Sequence, residues 1–237
     1  MTNTSSQNKK LRILCIGNSY IQGIEPVIKM IEKNFYDIFE FDLVANGGYT
    51  LAKHSENEIL IENIKQNKYD VVVLQEQSQL PALKKKHQEL FYQNSKFFNQ
   101  IIKAGGNDTA FFITWGRCEG DKESMDINPD FETMQNRLND AYTNIAEELD
   151  STIIPIGPVW ADIKNEDLNL WKSFYQDDGS HPTLLGAYPS ALTFLSVLLK
   201  ISPEDLGCNI EIEGLTPAYR KIIHKSIARK LKLKGDV

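Results

Sequence analysis

The stretch LRILCIGNSY (11–20) reads as a strand, Leu11 to Gly17, that breaks at Gly17-Asn18-Ser19 ahead of a helical candidate near 22–35. Its near-continuous hydrophobicity suits a strand covered on both faces, as in a parallel sheet. The same pattern recurs in FEFDLVA (39–45), YDVVVLQ (69–75), TAFFITW (109–115) and STIIPIG (151–157). Amphipathic stretches near 51–66, 84–104 and 130–149 lie between these runs, each long enough for a right-handed crossover. The alternation predicts an α/β fold, a three-layer α/β/α domain around a flavodoxin-like, five-stranded parallel sheet.

After the fifth strand come a short helical piece near 159–166, an irregular stretch to about 181 and a strongly apolar helix, TLLGAYPSALTFLSVLLK. Pro182 is expected at a first helical position and Pro189 to kink the middle. Tyr219, Ile223, Ile227 and Leu231 recur every four residues and mark the buried stripe of a terminal helix. The basic residues around that stripe, Arg220, Lys221, Lys225, Arg229, Lys230, Lys232 and Lys234, read as its solvated face. No internal repeat or composition shift marks a second domain, so 1–10 is expected to be a disordered tail and 11–237 one domain.

Composition narrows the function classes. The chain has 237 residues, 26 Lys+Arg against 32 Asp+Glu and a net charge of -6, which argues against a general nucleic-acid binder. No apolar run approaches the length of a membrane span, and the polar opening MTNTSSQNKK is followed by no signal-peptide core. Cys15, Cys118 and Cys208 are scattered, suggesting neither a disulfide framework nor a thiolate metal site, and fit a reducing cytoplasm. His54, His87 and His224 stand apart from clustered ligands, so no metal site is expected.

In an open parallel sheet, ligands bind beyond the carboxyl ends of the strands. The residues there are polar: Gly17-Asn18-Ser19, then Asn46-Gly47-Gly48-Tyr49-Thr50, Gln75-Glu76-Gln77-Ser78 and Trp115-Gly116-Arg117, with Asp178-Gly179-Ser180-His181 far downstream. Ser19, at a strand-to-helix transition, is either a nucleophile or a helix N-cap. Asp178, three residues before His181, can reach the imidazole and fix its tautomer, or else it is a turn residue before glycine. Gly48 and the amide of Gln77, with the Ser19 N–H, can supply an oxyanion hole; a Gly-Gly turn and a polar loop residue are the plainer readings.

The order of these blocks resembles the SGNH (GDSL-like) hydrolase superfamily over about residues 11–200, in a branch with Gly-Asn-Ser for Gly-Asp-Ser. The resemblance implies Ser19, Asp178 and His181 as catalytic triad, Ser19, Gly48 and Gln77 as oxyanion hole, and no cofactor. Two departures stand out. Gln75-Glu76-Gln77-Ser78 takes the place of a Gly-x-Asn-Asp block, leaving Gln75 as a rival to Gln77, and Gly47 adjoins Gly48. Gln75, Trp115 and Arg117 are candidate substrate contacts, and Trp160, Trp171 and Tyr175 are candidate pocket aromatics or core residues. Residues 116–128 are expected to be a lid or specificity loop. The function implied is a serine esterase acting on a small ester, with an acylated sugar the leading substrate. A lipase or thioesterase, and a non-catalytic ligand-binding domain on the same scaffold, are the alternatives.

Overall fold

The structure, a computed structural model, describes residues 9–66 and 68–232. Most of the tail expected at 1–10, and Lys234 of the terminal basic set, lie outside the described residues. Lys9 pairs with Asp70 at 2.8 Å just before the first strand.

Five parallel strands run β1 (Leu11–Gly17), β2 (Phe39–Ala45), β3 (Val71–Leu74), β4 (Asp108–Phe112) and β5 (Thr152–Ile154), in the order β2-β1-β3-β4-β5. The register pairs Leu11 with Phe39, Ile13 with Val71, Val71 with Asp108 and Ala110 with Thr152. The chain moves outward from β1 to β2 and returns to the other side of β1 for β3. The carboxyl ends of β1 and β3 therefore flank the topological switch point, where a crevice opens.

The helices are α1 (Ser19–Asn34), α2 (Leu51–His54), α3 (Glu58–Lys65), α4 (Lys85–Ala104), α5 (Phe131–Glu148), α6 (Ile156–Glu166), α7 (Leu168–Lys172), α8 (Leu184–Leu199), α9 (Pro203–Gly207) and α10 (Pro217–Leu231). A 3₁₀ turn spans Leu80–Ala82. Strand side chains alternate between two cores. Ile13, Cys15, Val73, Ala110 and Phe112 pack with α1, α6, α8 and α10, whereas Leu14, Ile16, Val72, Leu74 and Phe111 pack with α2 to α5.

The differences from expectation have local causes. The helix expected at 51–66 is two, because Asn57 interrupts it and caps the second piece through the Leu60 N–H. β5 is three residues long, since Pro155 ends it and α6 begins at Ile156 rather than 159. The stretch to 181 contains α7, capped by Asp167. Thr183 caps α8, so Pro182 lies just outside the helix and pairs as an isolated bridge with Tyr175. Pro189 lies inside α8, which runs on as one helix to Leu199.

One basic residue of α10, Arg220, turns inward instead of remaining on the solvated face, and exposed Arg229 forms a surface ion pair. Arg220 donates to the Tyr188 hydroxyl and the Gly207 and Ile210 carbonyls, while Arg229 pairs with Asp162 of α6 at 2.7 Å. Among the described residues, no helix is long and apolar enough to cross a membrane.

Candidate active site

The turn after β1 is built so that a serine side chain stands free. Asn18, not Ser19, caps α1: its Oδ1 accepts the Tyr20 N–H, and its amide donates to the Tyr49 and Glu76 carbonyls. Ser19 is thus the first residue of the helix, with its hydroxyl released from capping. Gln75 braces the turn from β3. Its Oε1 accepts the Asn18 N–H at 2.9 Å and its amide donates to Asn18 Oδ1 and the Glu76 carbonyl. Gln75 crowds the Cα of Gly17 so closely that a Cβ there would collide with its amide oxygen. On the other side, buried His54 of α2 bonds the Gly17 carbonyl through Nε2 at 2.7 Å, and burial pulls its pKa below the ordinary histidine value.

A segment 162 positions downstream of Ser19 comes to the same place. His181 Nε2 lies 2.8 Å from Ser19 Oγ and Nδ1 lies 2.5 Å from Asp178 Oδ2. The other oxygen of Asp178 accepts the N–H groups of Ser180 and His181 at 2.8 and 2.9 Å, which fixes the carboxylate toward the ring. Burial alone would raise the Asp178 pKa, but the hydrogen bonds from His181 and Ser180 outweigh it and hold the carboxyl below its usual range. With Nδ1–H donating to Asp178, Nε2 is left to accept the serine proton. Gly179, at φ +65°, makes the turn between the two.

The cleft over Ser19 holds about 180 Å³ and is lined by Asn18, Tyr20, Gly48, Gln77, Ser78, Arg117, Ser180 and His181. Gly48 adopts φ +69° in the turn closed by the Tyr49 N–H on the Asn46 carbonyl; Gly47 is not part of this lining. The Gln77 amide is partly committed, donating to Gln79 Oε1 at 3.0 Å and accepting the Gln79 and Leu80 N–H groups, so one amide hydrogen remains.

Two expected contacts are corrected. Gln75 is fully buried and spent on the Ser19 turn, so it neither touches substrate nor competes for the oxyanion. Trp115 is also fully buried, stacked between Tyr20 (4.6 Å) and Trp160 (4.4 Å), with its N–H on the Ser180 carbonyl at 2.9 Å. Trp160, Trp171 and Tyr175 extend the same aromatic packing and belong to the core, not a sugar platform. Arg117 does line the cleft, paired with buried Asp121 at 2.7 Å.

Residues 116–128 form a fastened wall. The Cys118 N–H bonds the Gly179 carbonyl, Asp121 accepts from Gln79, and Asn128 reaches the Ala82 carbonyl. Tyr20, Ser78 and Ser180 join the cleft without having stood out as candidates in the sequence. Tyr20 directly follows Ser19 and packs its ring edge-on to His181, with its hydroxyl on Ser180 Oγ at 2.8 Å. Adjacency to the candidate nucleophile and to the candidate base was the available signal for Tyr20 and Ser180.

The sequence matches no protein-family model and no curated protein. Solved structures do match. A DUF4886 family protein from Bacteroides uniformis aligns at 17% identity and TM-score 0.72, over 96% of this chain and 97% of its own. A protein from Slackia heliotrinireducens assigned to the SGNH hydrolases aligns at 21% identity and TM-score 0.67, over 80% of this chain and 99% of its own.

The chain has the SGNH-hydrolase fold.

A single-site variant of an acetyl-xylooligosaccharide esterase from Geobacillus shares that SGNH-hydrolase fold at 16% identity and TM-score 0.61, covering 81% of this chain and 95% of its own.

Proposed function

We propose that the protein is a serine esterase that removes a small acyl group from a polar alcohol, most simply acetate from a carbohydrate. The observation that carries this reading is the serine–histidine–aspartate chain of contacts at 2.8 and 2.5 Å, in which the serine and histidine are 162 residues apart. A domain that only holds a ligand has no need of that convergence. A free serine hydroxyl at a helix N-terminus, hydrogen-bonded to an imidazole that a carboxylate orients, is the arrangement nucleophilic catalysis requires.

In the reaction, Ser19 Oγ attacks the ester carbonyl while His181 Nε2 takes its proton, and Asp178 stabilises the imidazolium. The developing oxyanion faces the Ser19 N–H, one of those a helix leaves unpaired at its first turn, together with the Gly48 N–H and the remaining amide hydrogen of Gln77. His181 then protonates the leaving alcohol, and water, activated by the same base, frees the acyl group from Ser19.

Cleft size and chemistry favour a short acyl chain. About 180 Å³ is below the roughly 300–1,000 Å³ of sites for drug-sized ligands. Its polar groups are hydroxyls, amides, the His181 imidazole and one guanidinium, which can hydrogen-bond the hydroxyls of a sugar leaving group. The acetyl-xylooligosaccharide esterase on the same fold points the same way. The test is a substrate series. The protein should release acetate from acetylated xylooligosaccharides and cleave p-nitrophenyl acetate faster than the octanoate, and Ser19→Ala and His181→Ala should each abolish both. A preference for octanoate would move the reading to a lipase or thioesterase, and activity surviving either substitution would overturn it.

A further inference from the structure

Behind the cleft wall sits a carboxyl that the reaction above leaves without a task. Glu76 is 1% exposed and lies between Gln75, which braces the Ser19 turn, and Gln77. One of its oxygens, Oε1, accepts two backbone N–H groups: Leu51 at 3.1 Å and Gln77 at 2.7 Å. Leu51 opens α2 directly after the turn that carries Gly48. The Glu76 backbone is committed as well, with its N–H on the Tyr142 hydroxyl at 3.0 Å and its carbonyl accepting from Asn18 Nδ2 at 3.4 Å. This one residue therefore contacts all three segments that bear oxyanion donors: the Ser19 turn through Asn18, the Gly48 turn through Leu51, and the Gln77 loop through its own chain.

We propose that Glu76 is a positioning residue of the oxyanion hole, its carboxylate clamping the Leu51 and Gln77 N–H groups so that the Gly48 N–H and the Gln77 amide converge above Ser19. This deepens the esterase reading of the site and rests on it. A loop mutation that misplaces a donor by about 1 Å can cost on the order of 10²-fold in rate. A single acceptor shared by two loops is a direct way to set that spacing.

The clamp has a charge state. N–H groups bind an ionised carboxylate more strongly than a neutral one, yet burial opposes the charge. No cation faces Glu76 among the described residues. The buried titratable groups on the elements around it are Tyr142 of α5 and Cys15 of β1, both pushed up by burial and neutral, and His54 of α2, held toward its neutral form, against whose ring Tyr49 packs. Burial pushes Glu76 up to about 7, with the two N–H groups only partly offsetting it. Above that pH the clamp is charge-assisted, and below it the clamp weakens. The acid limb of kcat should thus combine the ionisation of Glu76 with that of the general base.

The experiment measures kcat and KM on p-nitrophenyl acetate across about pH 5.5 to 9 for the wild type, Glu76→Gln and Glu76→Ala. Glu76→Ala should lower kcat about 10²-fold while KM changes less than about threefold. Glu76→Gln keeps an acceptor of the same shape. It should recover most of that loss near pH 8 and show an acid limb shallower by one ionisation. An unchanged limb in Glu76→Gln, or a loss in Glu76→Ala confined to KM, would overturn the proposal; if Glu76→Ala does not fold, the Glu76→Gln profile decides. Turnover that survives Ser19→Ala would overturn the esterase reading and this one with it, whereas turnover abolished by Ser19→Ala with an unaltered Glu76→Gln limb overturns this one alone.

Discussion

Replacing Asp178 by asparagine should damage catalysis more than replacing it by alanine, and the reason lies in how the carboxylate is held. Oδ1 accepts two backbone N–H groups, from Ser180 and His181, while Oδ2 faces the imidazole Nδ1 at 2.5 Å. An asparagine would turn its carbonyl oxygen toward the two backbone donors, because its NH₂ group cannot satisfy them, and so present N–H to Nδ1. The ring then carries its proton on Nε2, where it donates to Ser19 instead of accepting from it. In triads with a buried aspartate this wrong tautomer costs about 10⁴-fold in kcat. Here Asp178 and His181 are 46% and 38% exposed, so water screens the electrostatic share of the loss and can itself bind the ring. We expect about 10²- to 10³-fold for Asp178→Asn, and a loss about tenfold smaller for Asp178→Ala, in which water can take the Nδ1–H. Steady-state kcat on p-nitrophenyl acetate near neutral pH measures the order, and thermal melts check that both variants fold. An asparagine variant as active as the alanine variant, or more so, would refute the tautomer argument.

Gln77→Ala should lower kcat by about 10²-fold with little change in KM, because the amide meets charge only in the transition state; a pure rise in KM would make Gln77 a substrate contact instead. Gly48→Ala should cost about 1–2 kcal/mol of stability in urea unfolding, since φ is +69° although no atom lies within 4 Å of a Cβ there. Unchanged stability would contradict that backbone geometry. Trp115→Leu should destabilise the protein by about 3 kcal/mol through loss of the stack between Tyr20 and Trp160 and of the bond to the Ser180 carbonyl, and should slow catalysis as the His181 turn loosens. A variant that unfolds like the wild type would show that the stack contributes little.

What was legible in the sequence follows from where the information resides. The central strands β1, β3 and β4, largely buried on both faces, announce themselves as continuous apolar runs; the edge strands β2, with Glu40 and Asp42 exposed, and β5 are readable from their remaining apolar residues, and the amphipathic stretches between the strands imply parallel crossovers. The placement of Ser19, Asp178 and His181 was legible because each is set by a local event: a strand-to-helix break for Ser19 and a three-residue spacing across a tight turn for Asp178 and His181. Gln75 and Trp115 were misplaced because burial at a strand end depends on distant segments. Gln75 is covered by the Ser19 turn, 57 residues away at Asn18, and Trp115 by Tyr20 of α1, Trp160 of α6 and the Ser180 backbone. Glu76 escaped notice for the same reason, since its two N–H partners come from different loops. Asn18 took the capping role because its side chain also reaches Tyr49 and Glu76, contacts that a serine at the next position would not make.

An esterase of this kind needs Ser19 to be an activated nucleophile, and covalent labelling reads that property directly. Incubation with a fluorophosphonate followed by peptide mass spectrometry should give one stoichiometric adduct, on Ser19, formed far more slowly in His181→Ala. Absence of an adduct, or an adduct on another residue with Ser19 unmodified, would contradict the account.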